Sequence, residues 1–317
     1  YPIKKEFFPF SLFAPPISEG FVRLAQKHMK PPRFLWKDPQ LQVETLSIPG
    51  WQGDEITLYV LSPEGIETPA PCFLHLHGGG FVFEGSNSHY RLAMTLAKEA
   101  RCKVVYPVYR LAPDHPLPIP HEDCYAALCW VHAHTDMLGI DPERIAIAGF
   151  SAGGHLAASL CVNYKKEWLS SYLNNCAPEE IMPNACVLSY PVITSGEFGH
   201  QGSFENLLGM QSDADKAKKY KQDLVELVTL DRHVTEDCPP TFLWHTYEDS
   251  SVPVENSLLY LTSLIDKGVL AEFHMFPFGG HGLALANEET AAGNEYNIQP
   301  DCQCWPEMAA KFLDKAM

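Results

Sequence analysis

The sequence has no run of about 18 consecutive apolar residues, so it does not predict a membrane-spanning helix. It is also poor in basic residues, because 23 Lys and Arg against 39 Asp and Glu give a net charge of −16. Such a surface repels phosphate backbones and anionic lipid headgroups, so neither nucleic acid nor a membrane is an expected partner. Internal repeats and low-complexity tracts are absent. The 317 residues, 46% of them hydrophobic, can form a sizeable core.

Cysteine is too sparse for a disulfide-stabilised scaffold, since there are 10 cysteines in 317 residues. A reduced cysteine in an apolar run packs as a small hydrophobic residue, and a reducing compartment is therefore expected. The opening stretch YPIKKEFFPF also lacks the continuous apolar segment of a signal peptide. We expect a cytoplasmic protein, and secretion stays open because the chain begins at Tyr1 rather than Met. The cysteines in apolar runs are Cys72, Cys102, Cys129, Cys161 and Cys186.

Strand-like and helix-like segments alternate along most of the chain. Apolar segments flanked by helical patterns indicate β-α-β units, and hence an α/β fold with an open, mostly parallel sheet flanked by helices. No helical pattern separates the first two strands, which predicts an antiparallel hairpin at the sheet edge. Strands are predicted at 44–50, 55–63, 72–78, 102–109, 144–150, 185–192, 241–246 and 271–277. Helices are predicted at 89–100, 122–134, 153–166 and 254–268.

Two regions fall outside this alternation, and residues 1–317 are treated as a single domain that contains both. Residues 1–40 are rich in proline and aromatic residues, whereas residues 194–238 form a polar stretch with a predicted helix at 213–228. A long insertion after a strand of an α/β sheet often lies over the carboxyl ends of the strands, where ligands bind. Both regions are therefore predicted to supply cap elements, with surface decoration as the alternative.

The stretch Gly149-Phe150-Ser151-Ala152-Gly153 matches the pattern G-x-S-x-G directly after a predicted strand and before a predicted helix. In this context the pattern places a serine on a sharp turn, with its hydroxyl exposed at the top of the sheet. Small neighbours are needed because larger ones would collide with the adjacent strand and helix, and the helix N-terminus favours negative charge nearby. Ser151 is therefore the predicted nucleophile. The alternative is an idle serine in a glycine-rich turn.

A second glycine-rich stretch, His77-Gly78-Gly79-Gly80, also follows a predicted strand. Consecutive glycines leave backbone N–H groups open to close approach by a developing oxyanion. The N–H groups of Gly79, Gly80 and Ala152 are therefore the predicted oxyanion hole. The alternatives are a flexible glycine loop and a phosphate-binding loop, and the second is disfavoured because no G-x-x-x-x-G-K-[ST] pattern occurs.

A serine hydroxyl needs a base to remove its proton, and 14 histidines are present. His281 is the predicted base, because FGGHGL places it in a loop of small residues after the last predicted strand. Such a loop can reach the serine, and its glycines leave room for an imidazole ring. Other histidines are expected in structural positions: His155 on the helix after the serine, His75, His245 and His274 within strands, and His132 and His134 at an exposed helix end.

An acidic side chain is needed to orient the imidazole and to stabilise its protonated form. The segment YEDSSVPVENS, after the strand predicted at 241–246, offers Glu248 and Asp249. Asp249 is the predicted acid, because a shorter carboxylate at a strand-end turn is the commoner orienting group, and Glu248 remains the alternative. The chain order Ser151, Asp249, His281 is then nucleophile, acid, base, one of the orders known for such triads.

Several motifs together resemble one known family. HGGGF, YRLAPDHPLP, EDCYAALCW and GFSAGGH are similar to the hormone-sensitive-lipase-like branch of the α/β-hydrolases. YPVITSGEF, GSFENLLG and TFLWHTYEDSSVPVENS are also similar to bacterial carbohydrate acetyl esterases and feruloyl-esterase-like enzymes. The resemblance covers roughly residues 40–317.

The resemblance implies an α/β-hydrolase fold with an eight-stranded sheet and a cap, no cofactor or metal, and hydrolysis of short-chain acyl esters. Carried over by position, it implies the same triad and oxyanion hole as the motifs do. Phe150 stands where many lipase-like members have aspartate, and D-S-S-V-P at 249–253 replaces their D-P-L-R-D. Both departures favour small acyl groups on sugars over lipid-like esters. Arg110 and Asp114 are expected to brace the YRLAPDHPLP loop.

The expected partner is a small-molecule ester, in particular an acetylated oligosaccharide from plant polysaccharide, and a homodimer is compatible with the sequence. An arylformamidase or a small peptidase with the same triad is the nearest alternative. A non-catalytic ligand receptor is disfavoured because such receptors lose the histidine that is retained here as His281. A metal-dependent hydrolase is disfavoured because no H-E-x-x-H or paired C-x-x-C occurs, although Cys302 and Cys304 form a C-x-C.

Overall fold

The computed structural model describes residues 19–28, 34, 37–166, 177–178, 182–209 and 217–317. Eight strands form one sheet. They are β1 Leu41–Pro49, β2 Glu55–Pro63, β3 Ala70–Leu76, β4 Lys103–Val108, β5 Ile140–Phe150, β6 Ala185–Ser189, β7 Thr241–Thr246 and β8 Ala271–Phe276. The α-helices of the described residues are α1 Glu19–His28, α2 Asn87–Glu99, α3 Ile119–Ala133, α4 Thr135–Leu138, α5 Ala152–Asn163, α6 Gln201–Leu207, α7 Ala217–Leu227, α8 Glu255–Asp266 and α9 Trp305–Ala316.

The strand order is β1-β2-β4-β3-β5-β6-β7-β8. Strand β1 pairs antiparallel with β2, and β2 pairs antiparallel with β4. All other neighbours are parallel. This confirms the predicted α/β fold, with a mostly parallel eight-stranded sheet and a hairpin at one edge. The carboxyl ends of β3, β5, β7 and β8 all lie on the same side, so the loops after them can meet there.

The predicted strands agree closely with the observed ones, and two differences have physical causes. Strand β1 begins at Leu41 rather than at residue 44, because its first residues pair with Pro63 and the residues before it. Strand β6 ends at Ser189 rather than at residue 192, because Tyr190 adopts a φ of 39° and turns the chain out of the sheet. The C-terminal helix α9 was not predicted.

The core has two parts, one on each face of the sheet. Consecutive side chains of a strand point to opposite faces, so Phe242 and Trp244 of β7 pack on one side and Leu243 on the other. Helices α3, α5 and α8 cover the Leu243 side, and α2 and α9 cover the Trp244 side. Because both faces are covered, all six residues of β7 are buried, and its sequence TFLWHT lacks the apolar–polar alternation of a half-exposed strand.

The region predicted as a second cap element, 194–238, contains helices α6 and α7. The predicted helix at 213–228 is observed from Ala217 to Leu227, and residues 213–216 lie outside the described part of the chain. Asn206 of α6 donates a hydrogen bond from Nδ2 to the carbonyl oxygen of Gly80 at 3.1 Å. This contact places α6 on the glycine-rich loop after β3.

Only part of the region 1–40 is described, including α1, and its remaining residues lie outside the described ranges. Gln26 of α1 donates hydrogen bonds to the carbonyl oxygens of Val82 and Ala112 at 2.8 and 2.9 Å. Helix α1 therefore also contacts the loops that follow β3 and β4. None of the helices that the structure describes combines the length and the apolar character that a membrane span requires.

The expectation that the apolar-run cysteines are reduced is wrong for one of the five. Cys72, Cys102, Cys161 and Cys186 are free and buried. Cys129, in contrast, is disulfide-bonded. It lies at the margin of the core near the end of α3, where it keeps 9% of its surface exposed. The inference of a reducing compartment therefore loses part of its support.

Candidate active site

Ser151 occupies the turn between β5 and α5, with φ 55° and ψ −119°. This conformation is strained for a residue with a Cβ atom, and it recurs at functional sites where the surrounding structure enforces it. The N–H of Ser151 donates to the carbonyl of Ser189 at 3.1 Å, and its own carbonyl accepts from the N–H of Val192 at 3.0 Å. A Cβ at Gly153 would collide with the carbonyl oxygens of Leu76 and His77, which explains the small residue there.

The structure brings the predicted base and acid to this serine. His281 Nε2 lies 2.7 Å from Ser151 Oγ, and His281 Nδ1 lies 2.6 Å from Asp249 Oδ2. The Asp249 carboxylate accepts only, so Nδ1 carries the proton and Nε2 is free to accept the hydroxyl proton of Ser151. The ring of Tyr190 contacts that of His281 edge-on, with 5.1 Å between centroids. The three side chains thus form one continuous hydrogen-bonded chain.

Asp249 is buried, with 5% of its surface exposed. Its Oδ1 accepts the N–H groups of Ser251 and Val252 at 3.0 and 2.9 Å. Burial alone would raise the pKa of Asp249, but the charge of His281 and hydrogen bonds from His245 and His281 outweigh burial and hold that pKa well below its usual range. The carboxylate is therefore ionised wherever the imidazole needs a negative partner.

Glu248, the alternative acid, serves a different contact. Its Oε2 accepts a hydrogen bond from the Tyr296 hydroxyl at 2.8 Å and another from the Gly279 N–H at 3.4 Å. Gly279 lies two residues before His281, so Glu248 braces the loop that carries the imidazole. The contribution of Tyr296 was not predicted, because no motif links a position so far along the chain to this loop.

The loop that carries two of the predicted oxyanion-hole residues lies against the serine, since a Cβ at Gly78 would be 3.1 Å from Ser151 Cβ. Gly79 and Gly80 have φ angles of 113° and 61°, and the Gly79 carbonyl accepts from the N–H groups of Val82 and Phe83 at 3.1 and 3.0 Å. Within the described residues, the N–H groups of Gly79, Gly80 and Ala152 donate to no protein acceptor. Unused donors beside a nucleophile can stabilise negative charge that develops on a bound carbonyl oxygen.

Two further histidines that were not predicted lie close to the site. His89 Nε2 is 3.3 Å from the backbone nitrogen of Gly78, the first glycine of the loop after β3. Burial, together with His77 and His281, lowers the pKa of His89 to about 3. Burial also lowers the pKa of His200, which responds to the charges of His281 and Asp249 as well. Both imidazoles are therefore neutral near pH 7.

Most of the histidines predicted as structural have that character. His155 packs on α5, donating to the Val228 carbonyl at 2.9 Å, and burial lowers its pKa to about 4. His75 is fully buried between the rings of Tyr106 and Phe150. His274 bonds Glu272 on the edge strand β8.

Three histidine predictions need correction or extension. His132 and His134 were expected to be exposed, but both are half-buried. The ring of His134 stacks on Trp130, with 4.1 Å between centroids, which covers part of its surface. His245 lies in a strand as expected, but it also contacts Asp249.

Arg110 and Asp114 both hold the YRLAPDHPLP loop as predicted, each through partners outside the loop. Arg110 donates from Nε and Nη2 to the buried carboxylate of Asp123 at 2.9 and 2.8 Å, and it also pairs with Asp54. Asp114 instead pairs with Arg23 of α1. The loop is thus held by three ion pairs, which connect it to Asp123 of α3, to Asp54 before β2 and to Arg23 of α1. Among the described residues, no group of three or more His, Cys, Asp or Glu side chains could hold a metal ion.

The sequence of this chain is similar to those of several known proteins. The chain is 32% identical over 239 residues to endo-1,4-beta-xylanase B of Butyrivibrio fibrisolvens, a match that covers 72% of this chain and 35% of that protein. The chain spans between 35% and 39% of the length of the first curated relatives it matches.

Two solved structures show the same fold over most of the chain. An acetyl ester-xyloside bifunctional hydrolase from Caldicellulosiruptor lactoaceticus is 30% identical with a TM-score of 0.67, covering 85% of this chain and 96% of its own. The carboxylesterase Cest-2923 from Lactobacillus plantarum is 25% identical with a TM-score of 0.70, covering 86% and 97%. The family model described as alpha/beta hydrolase fold matches residues 73–285. The chain therefore belongs to the α/β-hydrolase fold family.

Proposed function

We propose that this protein is a carboxylic-ester hydrolase that uses Ser151 as its nucleophile and forms an acyl-enzyme. The observation that supports this proposal most directly is the hydrogen-bonded chain from Ser151 Oγ through His281 to Asp249, with distances of 2.7 and 2.6 Å. In a serine hydrolase such a chain transfers the hydroxyl proton to the imidazole as the oxygen attacks a carbonyl carbon.

In the first half-reaction, Ser151 Oγ forms a bond to the ester carbonyl carbon, and its proton passes to His281 Nε2. Asp249 stabilises the resulting imidazolium. The carbonyl oxygen becomes an oxyanion beside the N–H groups of Gly79, Gly80 and Ala152, and each such donor is worth roughly 3 kcal/mol in the transition state. When the tetrahedral intermediate collapses, the carbon–oxygen bond to the alcohol breaks and His281 protonates the departing alkoxide.

In the second half-reaction, a water molecule gives a proton to His281 Nε2 and attacks the acyl-enzyme carbonyl. The bond to Ser151 Oγ then breaks, the serine recovers its proton from the imidazole, and the carboxylic acid leaves. The same groups thus act as base and as acid in each half-reaction.

We further propose that the acyl group is acetyl and that the alcohol is a fragment of plant polysaccharide. The names of two relatives, a xylanase and an acetyl ester-xyloside hydrolase, support this choice. The segment 194–238, which we interpret as the cap, brings polar groups to the site. Helix α6 begins after His200, and its Asn206 contacts Gly80 in the glycine-rich loop after β3. Hydroxyl-rich alcohols suit such a surface better than long alkyl chains do.

A substrate panel tests both levels of the proposal. Acetate, butyrate, octanoate and feruloyl esters are compared with acetylated xylo-oligosaccharides, and the released acid is measured for the wild type and for Ser151→Ala. We expect acetyl esters to be hydrolysed with the highest kcat/KM and all hydrolysis to be lost in the variant. Undiminished hydrolysis by Ser151→Ala would refute the mechanism. N-formylkynurenine and a short peptide are assayed beside the panel. Faster turnover of either one than of the acetyl esters would contradict the substrate assignment.

A further inference from the structure

Asp249 has a second imidazole partner in addition to His281. His245 lies within β7 and is fully buried. Its Nε2 is 3.2 Å from Asp249 Oδ2 and 2.9 Å from the carbonyl oxygen of Val252. Its Nδ1 is 2.8 Å from Ser257 Oγ on α8, which is also fully buried.

These partners determine which ring nitrogen of His245 donates and which accepts. The Val252 carbonyl and the ionised carboxylate of Asp249 can only accept, so Nε2 must carry the proton and is shared between them. In the neutral ring, Nδ1 then accepts the hydroxyl proton of Ser257. Every hydrogen-bonding group of this buried imidazole is therefore used, and its orientation is fixed from β7 and from α8 at once.

The Asp249 carboxylate is consequently held at both oxygens. The N–H groups of Ser251 and Val252 hold Oδ1, and His245 holds Oδ2 from the side away from solvent. The remaining direction at Oδ2 is the one taken by His281 Nδ1 at 2.6 Å. A rotation of the carboxylate that would misalign His281 therefore breaks bonds to three groups.

We propose that His245, anchored by Ser257, is a positioning residue that sets the direction and the basicity of the Asp249 carboxylate and so orients His281 toward Ser151. This inference rests on the proposed serine-hydrolase function. By donating a hydrogen bond, His245 withdraws negative charge from Oδ2, and loss of that bond makes the carboxylate more basic. A more basic carboxylate stabilises protonated His281 more strongly, so the acid limb of the pH profile moves to higher pH.

Other titratable groups near Asp249 and His281 do not account for the expected shift of the acid limb. His200 lies within electrostatic range of His281 and Asp249, and His89 within range of His281, and burial lowers the pKa of both. Burial thus disfavours the charged form of both imidazoles, and neither forms a hydrogen bond with Asp249 among the described residues. Glu248 contacts the loop of His281 through Gly279 and Tyr296 rather than the imidazole.

The test compares His245→Phe with His245→Gln. Phenylalanine keeps the ring shape and removes both nitrogens, whereas the amide nitrogen of glutamine can reach the place of Nε2. We expect His245→Phe to lower kcat by about 10-fold to 100-fold at unchanged KM, as when an outer hydrogen-bond partner of a metal-bound imidazole is lost. Its acid limb moves to higher pH, and His245→Gln recovers most of the loss. Ser257→Ala is expected to shift the acid limb in the same direction, and it tests the inference if His245→Phe does not fold.

His274→Phe on β8 is the matched control, since it removes a half-buried imidazole that is bonded to Glu272 and not to Asp249. Proton NMR of the His281 Nδ1–H, which resonates far downfield when bonded to a carboxylate, provides a readout that needs no substrate. We expect that signal to move in His245→Phe and to stay in His245→Gln and His274→Phe. An unchanged signal and an unchanged acid limb in a folded His245→Phe would overturn the inference. A wild type without esterase activity would refute the proposed function while the NMR comparison still decides the role of His245.

Discussion

His281 Nε2 lies 2.7 Å from Ser151 Oγ although 130 residues separate them in the sequence. The serine is held by the turn after β5, and the histidine by the loop after β8, which Glu248 braces through Gly279. Neither side chain is positioned by its sequence neighbours alone. The sheet brings the two loops together, and the hydrogen bond then joins them.

The strained backbone at Ser151 should lower the free energy of unfolding for any residue there that has a Cβ atom. Ser151→Gly and Ser151→Ala both remove the hydroxyl, but only glycine adopts a φ of 55° with a ψ of −119° without strain. Relief of strain outweighs the greater chain entropy of unfolded glycine, so we expect Ser151→Gly to unfold with a free energy about 1 kcal/mol above that of Ser151→Ala. Urea denaturation measures the difference. Equal stabilities would show that the turn is not strained.

Alanine substitutions of Gly79 and Gly80, in the glycine-rich loop after β3, should lower activity to different extents. A Cβ at Gly79 would lie 2.5 Å from the carbonyl oxygen of Phe83, whereas one at Gly80 would have 3.7 Å to Ser203 Oγ. Both positions have positive φ, so both alanine variants are strained, but only Gly79→Ala must also displace backbone. We expect Gly79→Ala to lower kcat more than about 100-fold and to exceed the loss in Gly80→Ala. Steady-state kinetics with a short-chain ester decide this, and the opposite ranking would contradict it.

Substitution of Asp249 and of Glu248 distinguishes the catalytic roles of these two adjacent acids. Asp249→Asn removes the charge beside His281, and we expect kcat to fall about 10⁴-fold, as for a triad aspartate. Glu248→Gln keeps an acceptor for the Tyr296 hydroxyl and the Gly279 N–H, so we expect less than about a 10-fold loss. Kinetics of both variants at one pH check the ranking. A larger loss in Glu248→Gln would identify Glu248 as the acid.

The buried carboxyl group of Glu122 is expected to make the free energy of unfolding depend on pH. Its side chain is 1% exposed, and its carboxylate oxygens have no hydrogen-bond partner within the described residues. Burial raises the pKa of Glu122 to about 7, with the charge of Asp123 adding to the shift and Arg110 opposing it. Because the folded pKa lies above the unfolded one, the stability contribution is full below about pH 4.5 and is lost as pH rises through about 7.

We therefore expect the wild type to lose on the order of 2 kcal/mol more than Glu122→Gln between pH 5 and pH 8. Urea denaturation at both pH values gives the four free energies of unfolding. Glutamine is the appropriate control because it has the shape of the protonated acid. Parallel pH dependences of the two proteins would show that Glu122 is ionised in the folded state throughout.

The sequence predicts the strands and the convergence of Ser151, Asp249 and His281, since each of these features depends on local pattern and on the carboxyl ends of neighbouring strands. It does not predict contacts whose partners are remote and lack a motif. The contact of Tyr296 with Glu248 and that of Asn206 with Gly80 are of this kind.

The role of His245 could not be predicted from the sequence for the same reason. A histidine within an apolar strand reads as a core residue, and the accepting carbonyl and carboxylate that surround His245 are visible only once the turn after β7 is built. The disulfide bond of Cys129 was likewise missed, because an apolar run suits a free cysteine and a bonded one equally.

Activation of Ser151 by His281 is tested most directly by reaction with a fluorophosphonate, followed by peptide mass spectrometry. We expect the wild type to carry one adduct, on the peptide that contains Ser151, and His281→Ala to react at least about 100-fold more slowly under the same conditions. Labelling of a different residue, or equal labelling rates in the wild type and His281→Ala, would contradict this expectation.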